Sequence, residues 1–295
     1  MSFNPDFWPI ARSALRVQLG FRRRKASVDR HDIVWIERGH PSPDHPTVVL
    51  LHGFAAMKES WASWLQGLPR DWHILAPDIP GFGESTYLES SSYRYELQAL
   101  RLRDWLASLA VGPLCIVGHS MGAAVATILT DRLAPQVHSL GLVSSAGMPP
   151  QSDADPERFP APKPAMDMLA PADWAGVRAT FASVGQGEPN LQTRLLIRLL
   201  GPQMIARSED YRKMFGDLLE DPWAPARHLP SIRVPLMVQW GDRDRITPFS
   251  CLGYIRHHRP DARIHEYTGV GHTPMLERPR LSVRDAINFL EISKH

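Results

Sequence analysis

In Leu114-Cys115-Ile116-Val117-Gly118-His119-Ser120-Met121-Gly122-Ala123-Ala124-Val125-Ala126, an apolar run passes through a glycine-flanked serine into an alanine-rich run. The opening Leu114-Cys115-Ile116-Val117 is continuous and apolar, as in a strand covered on both faces. The closing Ala123-Ala124-Val125-Ala126 favours a helix. Gly118-His119-Ser120-Met121-Gly122 fits G-x-S-x-G between them. On a strand-turn-helix this pattern presents the serine hydroxyl at the top of a sheet, with glycines allowing close backbone packing. The helix N-terminus behind it favours developing negative charge. The stretch predicts a nucleophile, Ser120.

Outward from this turn, strand-like and helix-like stretches alternate, the mark of an α/β fold with a mostly parallel sheet. Strands are expected at 33–37, 47–52, 73–77, 113–118, 139–144, 234–240 and 263–267, and helices at 61–68, 93–109, 123–133, 249–258 and 280–292. The alternation stops after Ser144 and resumes near Val234. The stretch between opens with prolines at 149, 150, 156, 160, 162, 164 and 171 and then carries only helical patterns. In one of them Leu191, Leu195, Leu196, Leu199 and Leu200 share a face, with Arg194 and Arg198 opposite. Residues 148–229 therefore read as a helical insertion into one core made of 31–147 and 230–295.

A serine hydroxyl needs a general base, and in this fold type the order along the chain is Ser, acid, His. His272, in Gly269-Val270-Gly271-His272-Thr273-Pro274, lies in a loop between the 263–267 strand and the last helix. His257 and His258 fall on a polar helix end, His265 inside a strand, and His295 in the tail. His119 adjoins the serine on a sharp turn and reads as structural. The acid should follow the 234–240 strand, where Asp242 and Asp244 both qualify and spacing does not separate them. Asp78 precedes Ser120, against the chain order, and reads as a support for Pro80-Gly81-Phe82-Gly83-Glu84-Ser85. An oxyanion needs donors. The backbone N–H of Met121, next after the nucleophile, is one, and Phe54 N–H, in the loop after the 47–52 strand, is the other. His52 in that loop reads as a structural hydrogen-bonding residue.

Together these residues resemble the α/β-hydrolase superfamily, from about Ile33 to the C-terminus. The resemblance implies the α/β-hydrolase fold: a mostly parallel sheet flanked by helices, with 148–229 as a cap inserted between late strands. The superfamily's acid loop follows G-x-x-D-x-x-x-P. Gly241, Asp244 and Pro248 match it, which selects Asp244 over Asp242. Leu51-His52-Gly53-Phe54-Ala55-Ala56-Met57-Lys58-Glu59-Ser60-Trp61, with Leu68-Pro69 and Asp78-Ile79-Pro80-Gly81, resembles the monoacylglycerol lipase branch related to bacterial family V lipases. Superfamily members with dehalogenase or epoxide hydrolase activity typically carry Asp as nucleophile, which Ser120 argues against. The implied function is a serine carboxylester hydrolase, an esterase or lipase working through Ser120, His272 and Asp244 and an acyl-enzyme. No metal or organic cofactor is required. Carbon–carbon bond hydrolysis of ring-fission diketones and acyl transfer use the same triad. A non-catalytic binding module would lack part of it.

The remaining composition narrows partners. Lys and Arg total 33 against 31 Asp and Glu, so no global charge excess argues for nucleic acid. Two cysteines, Cys115 and Cys251, are too few for a disulfide framework. No apolar run reaches 18 residues, and the N-terminus places Arg22-Arg23-Arg24-Lys25 after its apolar residues, the reverse of a signal peptide. The expected location is cytoplasmic, with peripheral contact to the inner face of a membrane open to residues 1–30. That basic arm carries Arg12, Arg16, Arg22, Arg23, Arg24 and Lys25, with Trp8, Ala11, Leu15 and Ile10, Ala14, Val17, Phe21 at helical spacing, as in an interfacial amphipathic helix. The expected partner is a small-molecule or lipid ester; the sequence is silent on oligomeric state.

Overall fold

Thr47-Val48-Val49-Leu50-Leu51 is buried along its whole length. Alternate side chains of a strand leave on opposite faces. Val49 and Leu51 accordingly join one apolar cluster, and Val48 and Leu50 a second on the other side of the sheet. A continuous apolar strand thus specifies a sheet with a core on each face. The computed structural model describes residues 7–42, 45–156, 169–185 and 191–292. The prolines at 160, 162 and 164, the side chains of Trp8, Ala11, Leu191, Leu195, Leu196 and Leu199, and His295 lie outside the described residues.

The chain runs through α1 (Phe7–Gln18), β1 (Arg22–Val28), β2 (His31–Arg38), β3 (Thr47–Leu51), α2 (Ala62–Gly67), β4 (Ile74–Pro77), α3 (Tyr95–Leu109), β5 (Leu114–His119), α4 (Met121–Leu133) and β6 (Val137–Val143). Helices α5 (Trp174–Val184), α6 (Leu191–Ala206), α7 (Ser208–Leu219) and α8 (Ala224–His228) follow. The chain closes with β7 (Leu236–Gly241), α9 (Leu252–His258), β8 (Arg263–Tyr267), α10 (Pro274–Glu277) and α11 (Pro279–Ile292). The strands form one eight-stranded sheet in the order β1-β2-β4-β3-β5-β6-β7-β8. β1–β2 and β2–β4 are antiparallel, and the rest pair in parallel. Each parallel pairing returns through a covering helix, so β3, β5, β7 and β8 end at the same edge, where sites in open α/β sheets lie.

Helix α4 packs against β5 and β6, with α3 beside it. On the opposite face α2 lies on α11, pinned by Trp64 Nε1 donating to Ser282 Oγ at 3.0 Å, with Trp61 and Trp64 both fully buried. The stretch between β6 and β7 carries no strand among the described residues.

The N-terminal arm differs from a single amphipathic helix. α1 ends at Gln18, the chain turns at Gly20 (φ 73°), and residues 22–28 pair antiparallel with β2 as an edge strand. Arg22-Arg23-Arg24-Lys25 has no apolar alternation because both faces of β1 are largely exposed there, and charged side chains suit a sheet edge. Leu15 packs against the core and Phe21 is buried, but Ile10 and Val17 are 66% and 80% exposed. Arg12 and Arg16 point inward, to Glu84. The helix therefore faces the protein with its cations and one apolar edge, and solvent with its other apolar edge.

Candidate active site

Ser120 sits between β5 and α4 with φ 52° and ψ −117°, a left-handed conformation that a side chain adopts only at a cost, and which turns it out of the helix line. Its own N–H donates to Val143 O at 2.9 Å, and its carbonyl accepts from Ala146 N–H at 3.1 Å, so the end of β6 and the loop after it hold the turn from the side. The flanking glycines are required by space. A Cβ on Gly118 would stand 2.3 Å from Gly122 O, and one on Gly122 would stand 2.3 Å from Leu51 O. Met121 is the first residue of α4, and helix geometry leaves its N–H without an acceptor one turn back.

His272 and Asp244 meet at the same sheet edge, 2.8 Å apart between Nδ1 and Oδ2. Both residues are buried. Asp244 also accepts from the Ile246 and Thr247 backbone N–H groups at 2.8 and 2.9 Å and from Thr247 Oγ1 at 2.8 Å. Burial pushes its carboxyl up, but the charge and hydrogen bond of His272 and the Thr247 donors outweigh that and hold it below the usual carboxylate range. With its proton on Nδ1, a neutral His272 keeps its lone pair on Nε2. The loop is further held by His272 N–H on Val184 O at 3.0 Å and by Glu277, which accepts from the Gly271 and Thr273 N–H groups. Asp242, by contrast, accepts from Gly269 N–H at 2.7 Å.

Two other histidines of these loops are held by hydrogen bonds at both His52 ring nitrogens and at His119 Nε2. His119 Nε2 donates to the carbonyl of His272 at 2.9 Å, which brings the residue beside Ser120 onto the His272 loop. Burial, then the neighbouring His272, pulls His119 down to about 3. His52 donates from Nδ1 to Gly53 O at 2.8 Å and accepts from Ile79 N–H on Nε2 at 3.0 Å. Burial holds it below the usual imidazole range. Gly53 brings the 52–58 loop over the serine: a Cβ there would stand 3.2 Å from Ser120 Cβ. Phe54 follows directly, its ring against Phe82 at 5.3 Å and against Tyr211 and Phe215 of α7 at 5.8 and 5.3 Å. Asp78 accepts from Lys58 N–H and Glu84 N–H, both at 2.8 Å, and so anchors the glycine-rich loop.

Ser120, Asp244, His272, Phe54 and Met121 thus gather at one edge. Thr247 and Lys58 did not stand out from sequence. The spacing Asp244-x-x-Thr247 is an Asx-type signal that marks Thr247. Lys58, fully buried, meets Asp78 and Glu84 across 20 and 26 residues, which no local pattern announces. Among the described residues, no group of three His, Cys, Asp or Glu side chains could hold a metal ion.

The profile of the alpha/beta hydrolase family matches residues 48–286. Monoacylglycerol lipase ABHD6 of Bos taurus is 25% identical over 96% of this chain and 88% of its own length. Lipase 1 of Psychrobacter immobilis is 27% identical over 83% of this chain and 76% of its own length. A crystal structure of a membrane phospholipase A superimposes with a TM-score of 0.86 at 28% identity, covering 98% of this chain and 92% of that one. With the profile spanning most of its length, the chain belongs to the alpha/beta hydrolase family.

Proposed function

We propose that this protein is a serine carboxylester hydrolase of the esterase and lipase type, acting on acyl esters of the monoacylglycerol kind. The carrying observation is the buried Asp244–His272 pair at 2.8 Å, with the His272 carbonyl bonded at 2.9 Å to His119, the residue before a serine on a strained elbow. Its relatives include a monoacylglycerol lipase and a bacterial lipase, which supports an ester of a lipid as substrate. Ser120 Oγ attacks the ester carbonyl carbon while His272 Nε2 takes the hydroxyl proton. Asp244 stabilises the imidazolium. The carbonyl oxygen, now an oxyanion, takes hydrogen bonds from Phe54 and Met121 N–H. Collapse expels the alcohol, protonated by His272, and leaves an acyl-Ser120. Water, deprotonated by His272, then releases the acid. The stretch 148–229 serves as a cap: α7 lays Tyr211 and Phe215 on the Phe54 ring, and the end of α5 accepts from the His272 N–H.

The test is Ser120→Ala on monoacylglycerol and nitrophenyl esters. Loss of a triad nucleophile costs on the order of a million-fold. Activity within tenfold of the parent overturns the reading. Faster turnover of a ring-fission diketone than of any ester assigns carbon–carbon cleavage instead.

A peripheral contact with a lipid surface belongs to the same reading. Pro9, Ile10, Ala14 and Val17 form an exposed, almost wholly apolar edge of α1. No helix among the described residues is long and apolar enough to cross a membrane, so such a helix would lie in the interface. With Arg12 and Arg16 turned inward, apolar insertion drives the contact. Full-length protein should sediment with anionic liposomes at low and at high salt, and Ile10→Asp with Val17→Asp should leave it in the supernatant.

A further inference from the structure

One buried ammonium stands between three carboxylates behind the 52–58 loop. Lys58 Nζ is hydrogen-bonded to Asp78 Oδ2, lies 2.8 Å from Glu84 Oε2 and lies 3.5 Å from Glu59 Oε1. The Lys58 side chain has no exposure, and Asp78 has none either. On its outer side Glu84 meets three arginines: Arg12 and Arg16 of α1 at 3.3 and 3.5 Å and Arg23 of β1 at 3.0 Å. Glu84 thus forms ion pairs both with arginines of the N-terminal segment and with Lys58.

The other side of this cluster is the 52–58 loop. Its start is tied to residue 79 through His52 Nε2, and its end to residue 78 through the Lys58 backbone N–H. Between the ties, Ala55 is held at φ 51°, a left-handed conformation disfavoured for alanine. Strain of this kind persists only where the surroundings over-determine the backbone. The ties do that only while Asp78 stays in place, and Asp78, Glu84 and Glu59 would repel one another without the ammonium. A buried carboxylate that loses its cation is strongly destabilised.

We propose that Lys58 and Glu84 are positioning residues for the loop that presents Phe54 N–H, and that α1, through Arg12 and Arg16, sets how firmly that loop is held. The inference rests on the reading of Ser120 as nucleophile and Phe54 N–H as oxyanion donor. An oxyanion donor acts in the transition state and not on the bound ester, so a loosened loop lowers kcat and leaves KM in place. Seating of the N-terminal helix and turnover are then coupled over the Arg12–Glu84–Lys58–Asp78 chain. Whatever lifts α1 from Glu84 slows the enzyme without touching the triad.

The experiment compares full-length Glu84→Gln, the pair Arg12→Gln with Arg16→Gln, and Lys58→Met with Lys58→Arg, beside Ser120→Ala. Readouts are kcat and KM on a nitrophenyl ester and inhibition by a trifluoromethyl ketone, whose carbonyl carbon takes Ser120 Oγ to give a hemiketal, the proton passing to His272 and the former carbonyl oxygen becoming an oxyanion in the site. Complete loss of an oxyanion donor costs roughly a hundredfold or more. Loosening should cost less: about a tenfold fall in kcat for Glu84→Gln, with KM within about twofold and a matching loss of ketone affinity. The arginine pair should move kcat and ketone affinity together in the same direction, and Lys58→Arg should recover part of what Lys58→Met loses. If Glu84→Gln or Lys58→Met does not fold, the arginine pair decides. Unchanged kcat in folded Glu84→Gln and in the arginine pair overturns the inference, as does a change in KM alone. Activity surviving in Ser120→Ala overturns the reading beneath it instead.

Discussion

His272 Nδ1 lies 2.8 Å from Asp244 Oδ2, while Asp242, two residues earlier, spends its Oδ1 on the backbone N–H of Gly269 at 2.7 Å. The two aspartates share a loop and differ in what they hold. One orients an imidazole; the other closes a turn.

Asp244→Asn should therefore lower kcat by roughly ten thousand-fold, because an amide stabilises the wrong tautomer and no imidazolium. Asp242→Asn keeps an oxygen acceptor for Gly269 and should stay within a few-fold of the parent. Steady-state hydrolysis of a nitrophenyl ester, with circular dichroism as a check on folding, measures both. Equal, mild effects would move the acid elsewhere, and the reverse order would make it Asp242.

Thr247→Val removes the hydroxyl that donates to Asp244 Oδ2 but leaves both backbone donors on Oδ1. A hydrogen bond to a charged group contributes about 1.5–3 kcal/mol. With the other donors in place, the expected loss in kcat is about tenfold, the low end of that range. No change in rate would mean that the backbone donors and His272 alone hold the carboxylate.

The parallel core was legible because its strands are apolar on both faces: Val48-Val49-Leu50-Leu51 and Leu114-Cys115-Ile116-Val117 read as buried strands whichever side is counted. The elbow was legible for the same local reason, since glycine, serine and helix start are adjacent. β1 was not. Arg22-Arg23-Arg24-Lys25 carries no burial pattern, and only its pairing with β2 makes it a strand. The choice between Asp242 and Asp244 needed the family's acid-loop spacing, because both stand at the end of the same strand. The inward turn of Arg12 and Arg16 depends on Glu84, more than 60 residues away, as the exposed pair Arg23–Glu84 also does. Helical spacing tells which residues share a face and is mute on which face meets the protein.

Gly53→Ala would place a Cβ 2.8 Å from His119 Nδ1 and 3.2 Å from Ser120 Cβ. His119 is held by its bond to His272 O and has little room to give. The loop should shift instead, taking Phe54 N–H with it. Overpacking of this kind costs about 1–3 kcal/mol, and an ångström of displacement at a reacting centre can cost roughly a hundredfold in rate. A lowered Tm with kcat reduced to about one hundredth is expected. Full activity would show that the loop is not bound to the serine's geometry.

Glu84 also carries a pH dependence. Burial pushes its carboxyl up, but the hydrogen bond and charge of Lys58, with Arg12 and Arg23, outweigh this and hold it at about 2, below its ordinary 4.5. A carboxyl depressed in the folded state adds stability that is complete above the unfolded value and is lost as pH falls through the folded one. Between about pH 4.5 and pH 2 the parent should lose an increment of stability that Glu84→Gln never had. Urea unfolding at steps across that window should show the parent's advantage shrinking toward low pH. A gap that widens on acidification would contradict the assignment.

The central claim is that Ser120 is an activated nucleophile. Its most direct measurement is stoichiometric reaction with a fluorophosphonate, followed by mass spectrometry of the peptide that spans Gly118-His119-Ser120-Met121-Gly122. One phosphonyl group per chain on Ser120, abolished in Ser120→Ala and strongly slowed in Asp244→Asn, is the predicted result. Labelling at another residue, or a Ser120 that stays unmodified while the ester is still turned over, would contradict the account.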